Sequence, residues 1–204
     1  GGLDILFNNA GISDRMSTIT EITAEGWSWI FDILVRGPAL GMKHAAPLML
    51  ERGGGSIINT ASIAGLQAGF GPIAYSTAKA GVIHMSRVAA AQLSPQKIRV
   101  NAICPGLIAT SIFGASIGLP LEVADQMAAR VAENASKAQP VPKAGLPDDI
   151  AQAALYLASD AAAFVSGTHL VVDGGITVGG RHAWDTTSVS PFATILGDMI
   201  PGQS

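Results

Sequence analysis

The sequence is short of charge, aromatic rings and cysteine. Asp, Glu, Lys and Arg make up 13% of its 204 residues, about half the usual share. Lys and Arg number only 12 against 15 acids, a formal net charge of −3. Twelve scattered cations cannot assemble a basic face, so nucleic acid is not the expected partner. The single cysteine, Cys104, excludes an intramolecular disulfide framework. No apolar run reaches the ~18 residues of a membrane span, and a cytoplasmic, membrane-free protein is the expectation. His44, His84, His169 and His182 show no ligand spacing and no acidic partners, so no metal site is expected. What the chain has instead is 49% hydrophobic residues with 24 glycines. That balance excludes intrinsic disorder and provides a large core of small and branched side chains.

Four short apolar runs read as strands: Leu3–Asn8, Ser56–Ala61, Ile98–Cys104 and Thr168–Asp173. Each is aliphatic at neighbouring positions, as a parallel strand covered on both faces must be. Helical stretches lie between them. One runs from Thr23 to about Glu51, one from Ala74 to about Leu93, and one from Pro147 to Ala158. The last opens Pro-Asp-Asp; proline presets φ and the carboxylates face the positive end of the helix dipole. Alternating strands and helices imply an α/β fold with a parallel sheet. Residues 112–145, with a weak helix at Leu121–Ala135, read as an excursion from that sheet. The tail, 179–204, has no clear period.

Tyr75 and Lys79 stand four residues apart on a predicted helix and so share a face. An ammonium beside a phenol favours the phenolate, which would lower the tyrosine pKa and suit it to proton transfer. A solvated helix face would show the same pair without any chemistry. Ser62 follows Ile57-Ile58-Asn59-Thr60-Ala61. A hydroxyl at the carboxyl end of a parallel strand points to where α/β sheets bind ligands, although a turn cap is the simpler role for a serine. Two further strand ends carry Asn8-Asn9-Ala10-Gly11 and Pro105-Gly106-Leu107-Ile108-Ala109-Thr110.

In order and spacing, these four motifs resemble the short-chain dehydrogenase/reductase family in its single-domain branch, over residues 1–178. The resemblance implies a Rossmann-like doubly wound sheet of which this chain carries the carboxyl-terminal part, without the first three strands. It implies hydride transfer between NAD or NADP and a secondary alcohol or ketone. Tyr75 would be the acid/base, Ser62 would orient the substrate oxygen, and Lys79 would hold the nicotinamide ribose. Asn8, Asn9, Ala10 and Gly11 would line the adenosine side. Pro105, Gly106, Ile108 and Thr110 would hold the nicotinamide. The excursion at 112–145 would be the substrate loop, with Ile112, Phe113, Ile117 and Leu119 favouring an apolar substrate. The helices at 23–51 and 74–93 match those with which the family forms dimers and tetramers.

Two departures from the family pattern set the alternatives. The glycine-rich dinucleotide turn is not among these residues. Gly69-Phe70-Gly71-Pro72-Ile73-Ala74 has the right glycine spacing, but no acidic residue follows about 20 positions on; it reads as the loop that delivers Tyr75. Indeed no Asp or Glu falls between Glu51 and Glu122, whereas Arg52, Lys79, Arg87, Lys97 and Arg99 do. That local positive bias suits a diphosphate. Leu34 occupies the place where the family usually has a catalytic asparagine. A catalytically impaired fragment or scaffold is therefore the rival expectation. A hydrolase is less favoured, because Ser62 lacks the Gly-x-Ser-x-Gly elbow.

Overall fold

The computed structural model describes residues 1–135 and 137–197. Four parallel strands, β1 (Ile5–Asn8), β2 (Gly55–Thr60), β3 (Ile98–Pro105) and β4 (His169–Val172), lie side by side in chain order. Register pairs Phe7 with Ile58, Ile58 with Asn101, and Ile103 with Leu170. Each strand starts or stops within two residues of its predicted end. Every connection between neighbours is a helical crossover, as parallel pairing requires.

Successive residues of β2 face opposite layers, because side chains alternate along a strand. Ile57 packs with Met42, Ala45, Ala46, Met49 and Ala90 on one side. Ile58 packs with Ile150, Ala153, Ala154 and Leu157 on the other. Helices thus cover both faces, and the sheet is doubly wound. β1 pairs only with β2 among the described strands. Its Ile5 and Phe7 remain partly exposed, on the face opposite Leu6.

The first crossover is one helical rod in three parts. Helix α1 (Ala24–Phe31) is capped by the Thr23 hydroxyl, which accepts from the Gly26 N–H. The rod then widens into a π turn at Asp32–Arg36, where the Gly37 N–H donates to the Asp32 carbonyl. It resumes as α2 (Gly37–Arg52). The chemical cause lies at the start of α2. Pro38 has no N–H for the Leu34 carbonyl, so the regular ladder cannot pass through it.

Helix α3 (Ile73–Leu93) forms the second crossover. After β3 come the short α4 (Ile112–Ala115) and α5 (Leu121–Ala135), within the predicted excursion. Gly145 returns to bridge Ile108. Helix α6 (Pro147–Ala158) has the predicted bounds; the Asp149 carboxylate accepts from the Leu146 N–H and pairs with Lys143. The tail carries one short helix, α7 (Pro191–Leu196). No described helix is long and apolar enough to cross a membrane.

Candidate active site

The carboxyl ends of β1, β2 and β3 open into one cavity of about 930 Å³. The loop after β1 brings Asn9, Ala10 and Gly11 to its wall. The loop after β2 brings Ser62, and the loop after β3 brings Pro105, Gly106, Ile108 and Thr110. Helix α3 contributes Tyr75 and Lys79 from its first two turns. The predicted site residues thus meet at one place, apart from Asn8.

Asn8 points elsewhere. Its side-chain amide donates to Asn59 Oδ1 at 2.7 Å, and the Asn59 amide donates to the Ser86 hydroxyl at 2.9 Å. These two linked amides, Asn8 half-buried and Asn59 buried, tie β1 through β2 to α3. Alternation along the strand explains it: Asn8 and Asn9 cannot both face the crevice. Asn9 is the one that does, and its Oδ1 accepts from the Thr60 hydroxyl at 3.0 Å.

Ser62 is positioned by its backbone. It is extended, and its hydroxyl accepts from the Ala64 N–H at 3.1 Å, capping the single turn Ile63–Gly65. The capping role and a place on the cavity wall therefore coexist. That turn lies directly on α3. A Cβ on Gly65 would stand 2.6 Å from the backbone of Lys79 and Ala80. Only glycine allows this approach, which brings Ser62 beside the Tyr75 face of the helix.

Lys79 is 4% exposed. Its Nζ donates to the Thr60 carbonyl at 2.6 Å and lies 5.6 Å from the centroid of the Tyr75 ring. Burial holds its ammonium down to about 8. Tyr75 departs from the sequence expectation. Burial pushes the phenol above its ordinary value, and hydrogen bonding with Ser62 only partly opposes this. The Lys79 Nζ lies over the ring, and the opposing influence on the phenol comes from Ser62. Tyr75 is thus held in its protonated form at neutral pH.

The rest of the wall is mainly apolar. Ile112, Phe113 and Ile117 line it as expected, but Leu119 does not. Gly69, Phe70, Gly71 and Pro72 also line it, in keeping with a loop that delivers Tyr75. Asp14 is on the wall too and was not anticipated. Its signal in the sequence was faint: it is the one acid between Asp4 and Glu21, in the loop that leaves a strand end. Cys104, in β3, is fully buried against Val82 and Ile83, with its thiol pushed up to about 11 by burial. Among the described residues no group of His, Cys, Asp or Glu could hold a metal ion.

The cavity suits the ribose and ring of a dinucleotide better than its diphosphate. Lys79 presents a buried ammonium bonded to one carbonyl, with donors to spare for a diol. Gly106 packs so closely on Asp173 that a Cβ would come within 2.6 Å of its backbone. The floor there is consequently backbone, over which a flat ring can lie. The Gly69-Phe70-Gly71-Pro72 turn that opens α3 follows the single turn Ile63–Gly65 and not a strand, so it lacks the strand–turn–helix form of a phosphate cradle.

Residues 1–177 match the family described as enoyl-(acyl carrier protein) reductase. The chain is 40% identical over 177 residues to cis-4-hydroxycyclohexanecarboxylate dehydrogenase of Sinomonas cyclohexanicum, covering 87% of this chain and 67% of that protein. It is 36% identical to cyclohexanol dehydrogenase of an Acinetobacter strain, covering 87% and 65%. The fold superposes with a TM-score of 0.75 on a short-chain type dehydrogenase/reductase from Mycobacterium ulcerans, at 34% identity, over 87% of this chain and 62% of that one. The chain thus spans about two thirds of the length of these relatives. Motifs, fold and likeness agree: the chain belongs to the short-chain dehydrogenase/reductase family.

Proposed function

We propose that this protein transfers hydride between a nicotinamide cofactor, NAD or NADP, and a cyclic secondary alcohol or its ketone. The observation that carries the reading is the meeting of Ser62, Tyr75 and Lys79 on one largely apolar cavity. Two relatives named for six-membered ring alcohols support the substrate class. Pro105, Gly106, Ile108 and Thr110 would hold the nicotinamide, whose chemistry is to supply or accept the hydride.

The chain's own residues manage the proton. In reduction the Tyr75 hydroxyl donates to the oxygen of the ketone as negative charge grows there. The Ser62 hydroxyl donates a second hydrogen bond to the same oxygen and orients it. Lys79 holds the cofactor ribose, and its charge stabilises the tyrosinate left behind. In oxidation the steps reverse, and Tyr75 must lose its proton first. Ile112, Phe113 and Ile117 exclude water and accommodate the hydrocarbon ring. The family resemblance gives the main-chain carbonyl at position 34 a water that links Lys79 to solvent; Pro38 can donate nothing to the Leu34 carbonyl, which leaves it to accept from such a water and return a proton to Tyr75 by way of Lys79.

Assembly into dimers or tetramers through α1–α2 and α3 belongs to the same proposal. Trp29, Leu40, Leu48 and Val88 leave apolar side chains exposed on those helices. A monomer in light scattering at micromolar concentration would contradict it. A non-catalytic scaffold is the second reading, favoured by Leu34 where the family pattern has an amide. Absorbance of the reduced nicotinamide, followed with cyclohexanol and each cofactor in turn, separates the two. Turnover supports the enzyme, and none with either cofactor supports the scaffold.

A further inference from the structure

Each residue of the turn after β4, 173–177, is tied down. The Asp173 carboxylate is buried. Its Oδ1 accepts from the Gly175 N–H at 2.8 Å, and its Oδ2 accepts from the Thr177 N–H at 3.0 Å and the Thr177 hydroxyl at 2.6 Å. The Ile176 N–H donates to the Asp173 carbonyl at 3.3 Å. Gly174 and Gly175 have φ of +63° and +83°, which glycine adopts at no steric cost. They lie against the segment that returns from the excursion. A Cβ on Gly174 would stand 2.6 Å from Gln139 Nε2, and the Val141 N–H donates to the Gly174 carbonyl at 2.9 Å. From the loop after β2, Gln67 Nε2 donates to the Thr177 carbonyl at 3.1 Å.

Of these five residues, Ile176 is the one on the cavity wall, and it is partly buried there. It stands between Asp173, on which Gly106 packs, and Thr177, which Gln67 holds. It thus spans from the loop after β3, on the nicotinamide side, to the loop after β2, which carries Ser62. The other bulky apolar residues expected at the substrate, Ile112, Phe113 and Ile117, lie on or beside α4. That helix is a single turn, marginal by itself. Ile176 has a fixed backbone and a stiff, β-branched side chain. It resists displacement by an oversized ligand, as any well-packed branched residue does.

We propose that Ile176 is a specificity-determining residue that sets how large a ring the site accepts. The inference rests on the hydride-transfer reading and narrows its substrate class to single-ring alcohols and ketones, which Ile176 favours over fused bicyclic ones. The discrimination is one of shape: a hydrocarbon wall separates ligands by the methylenes it has room for. Because the turn beneath it is bonded at every residue, the wall moves only when the Ile176 side chain itself is changed.

The test compares cyclohexanol with decahydro-2-naphthol, each titrated by calorimetry into protein saturated with the oxidised cofactor. Ile176→Ala should shift the ratio of the two affinities toward the bicyclic alcohol by about tenfold or more. Ile176→Trp should shift it the other way. Ile176→Val, one carbon smaller and still branched, should follow alanine by a smaller factor with a melting curve close to wild type. A substitution that merely loosened the fold would weaken both ligands alike and leave the ratio where it was. An unchanged ratio in Ile176→Ala, or shifts of the same sign in alanine and tryptophan, would overturn the role of Ile176. These ratios need no turnover, which separates the inference from the reading beneath it. Ratios that shift as stated, in a protein that oxidises neither alcohol, would fail the hydride-transfer reading alone. Oxidation of cyclohexanol with unchanged ratios would fail the role of Ile176 alone, and binding of neither alcohol to the wild type would overturn both.

Discussion

The Lys79 ammonium and the Thr60 carbonyl are joined by a 2.6 Å hydrogen bond that fastens α3 to the end of β2. The bond settles the position of the cation but does not repay its burial, because Lys79 is held down to about 8. A lysine lowered in the folded state binds fewer protons there than when unfolded. Stability is therefore reduced below pH 8, where both states are charged, and recovers as pH rises toward the unfolded value.

Lys79→Met should accordingly raise stability near neutral pH, by up to roughly 3 kcal/mol, while removing activity. Chemical denaturation at pH 7 checks the first and a nicotinamide assay the second. A variant less stable than wild type would show that the Thr60 bond outweighs desolvation.

Cys104 predicts the opposite slope at higher pH. Its folded value of about 11 lies above the ordinary thiol, so the stability of the buried neutral thiol is complete below pH 9. It is lost as pH rises from there through 11. The Lys79 gain overlaps this window, so the comparison is between proteins: from pH 9 to 11 the unfolding midpoint of Cys104→Ala should rise relative to that of the wild type. Equal slopes would place the alkaline loss elsewhere.

The direction of the Tyr75 shift shapes the pH–rate profiles. A phenol raised by burial stays ready to donate, so ketone reduction should hold a plateau through neutral pH. Alcohol oxidation needs the proton gone and should climb with pH over the same range. An oxidation rate flat from pH 6 to 9 would argue against Tyr75 as the base.

Leu34 and Pro38 make a separable pair. Leu34 is buried among Ile30, Ala74 and Ala78, and Pro38 leaves its carbonyl without the regular helical donor. Leu34→Asn should raise kcat by about tenfold at most, or 1.4 kcal/mol, and should cost about 1–3 kcal/mol of stability by placing an amide in apolar packing. Pro38→Ala should slow the enzyme more with Leu34 in place than in the Leu34→Asn background, since alanine re-forms the bond to the carbonyl. Measuring kcat for all four combinations tests this. Activity restored from nothing by Leu34→Asn would mark Leu34 as the cause of lost catalysis.

Much of this was legible in the residues because it depends on local periodicity. The alternation of Ile57 and Ile58 between two layers follows from strand geometry, and the bounds of α6 follow from Pro147 and two acids. The spacing of Tyr75 and Lys79 placed both on one wall. Less legible were properties that depend on what surrounds a side chain. Asn8 and Asn9 look alike in sequence, yet one braces the sheet and the other faces the cavity. The rise in the Tyr75 pKa required its burial to be known. The π turn was foreshadowed by Pro38, but its extent, Asp32–Arg36, was not.

The central claim is that the Tyr75 hydroxyl carries the transferred proton, and Tyr75→Phe tests it most directly. Phenylalanine keeps the ring and its packing and removes the proton alone. With cyclohexanol and saturating cofactor, kcat should fall by about 10²-fold or more while cofactor affinity stays near wild type. More than a few per cent of the wild-type rate, with the fold intact, would contradict it.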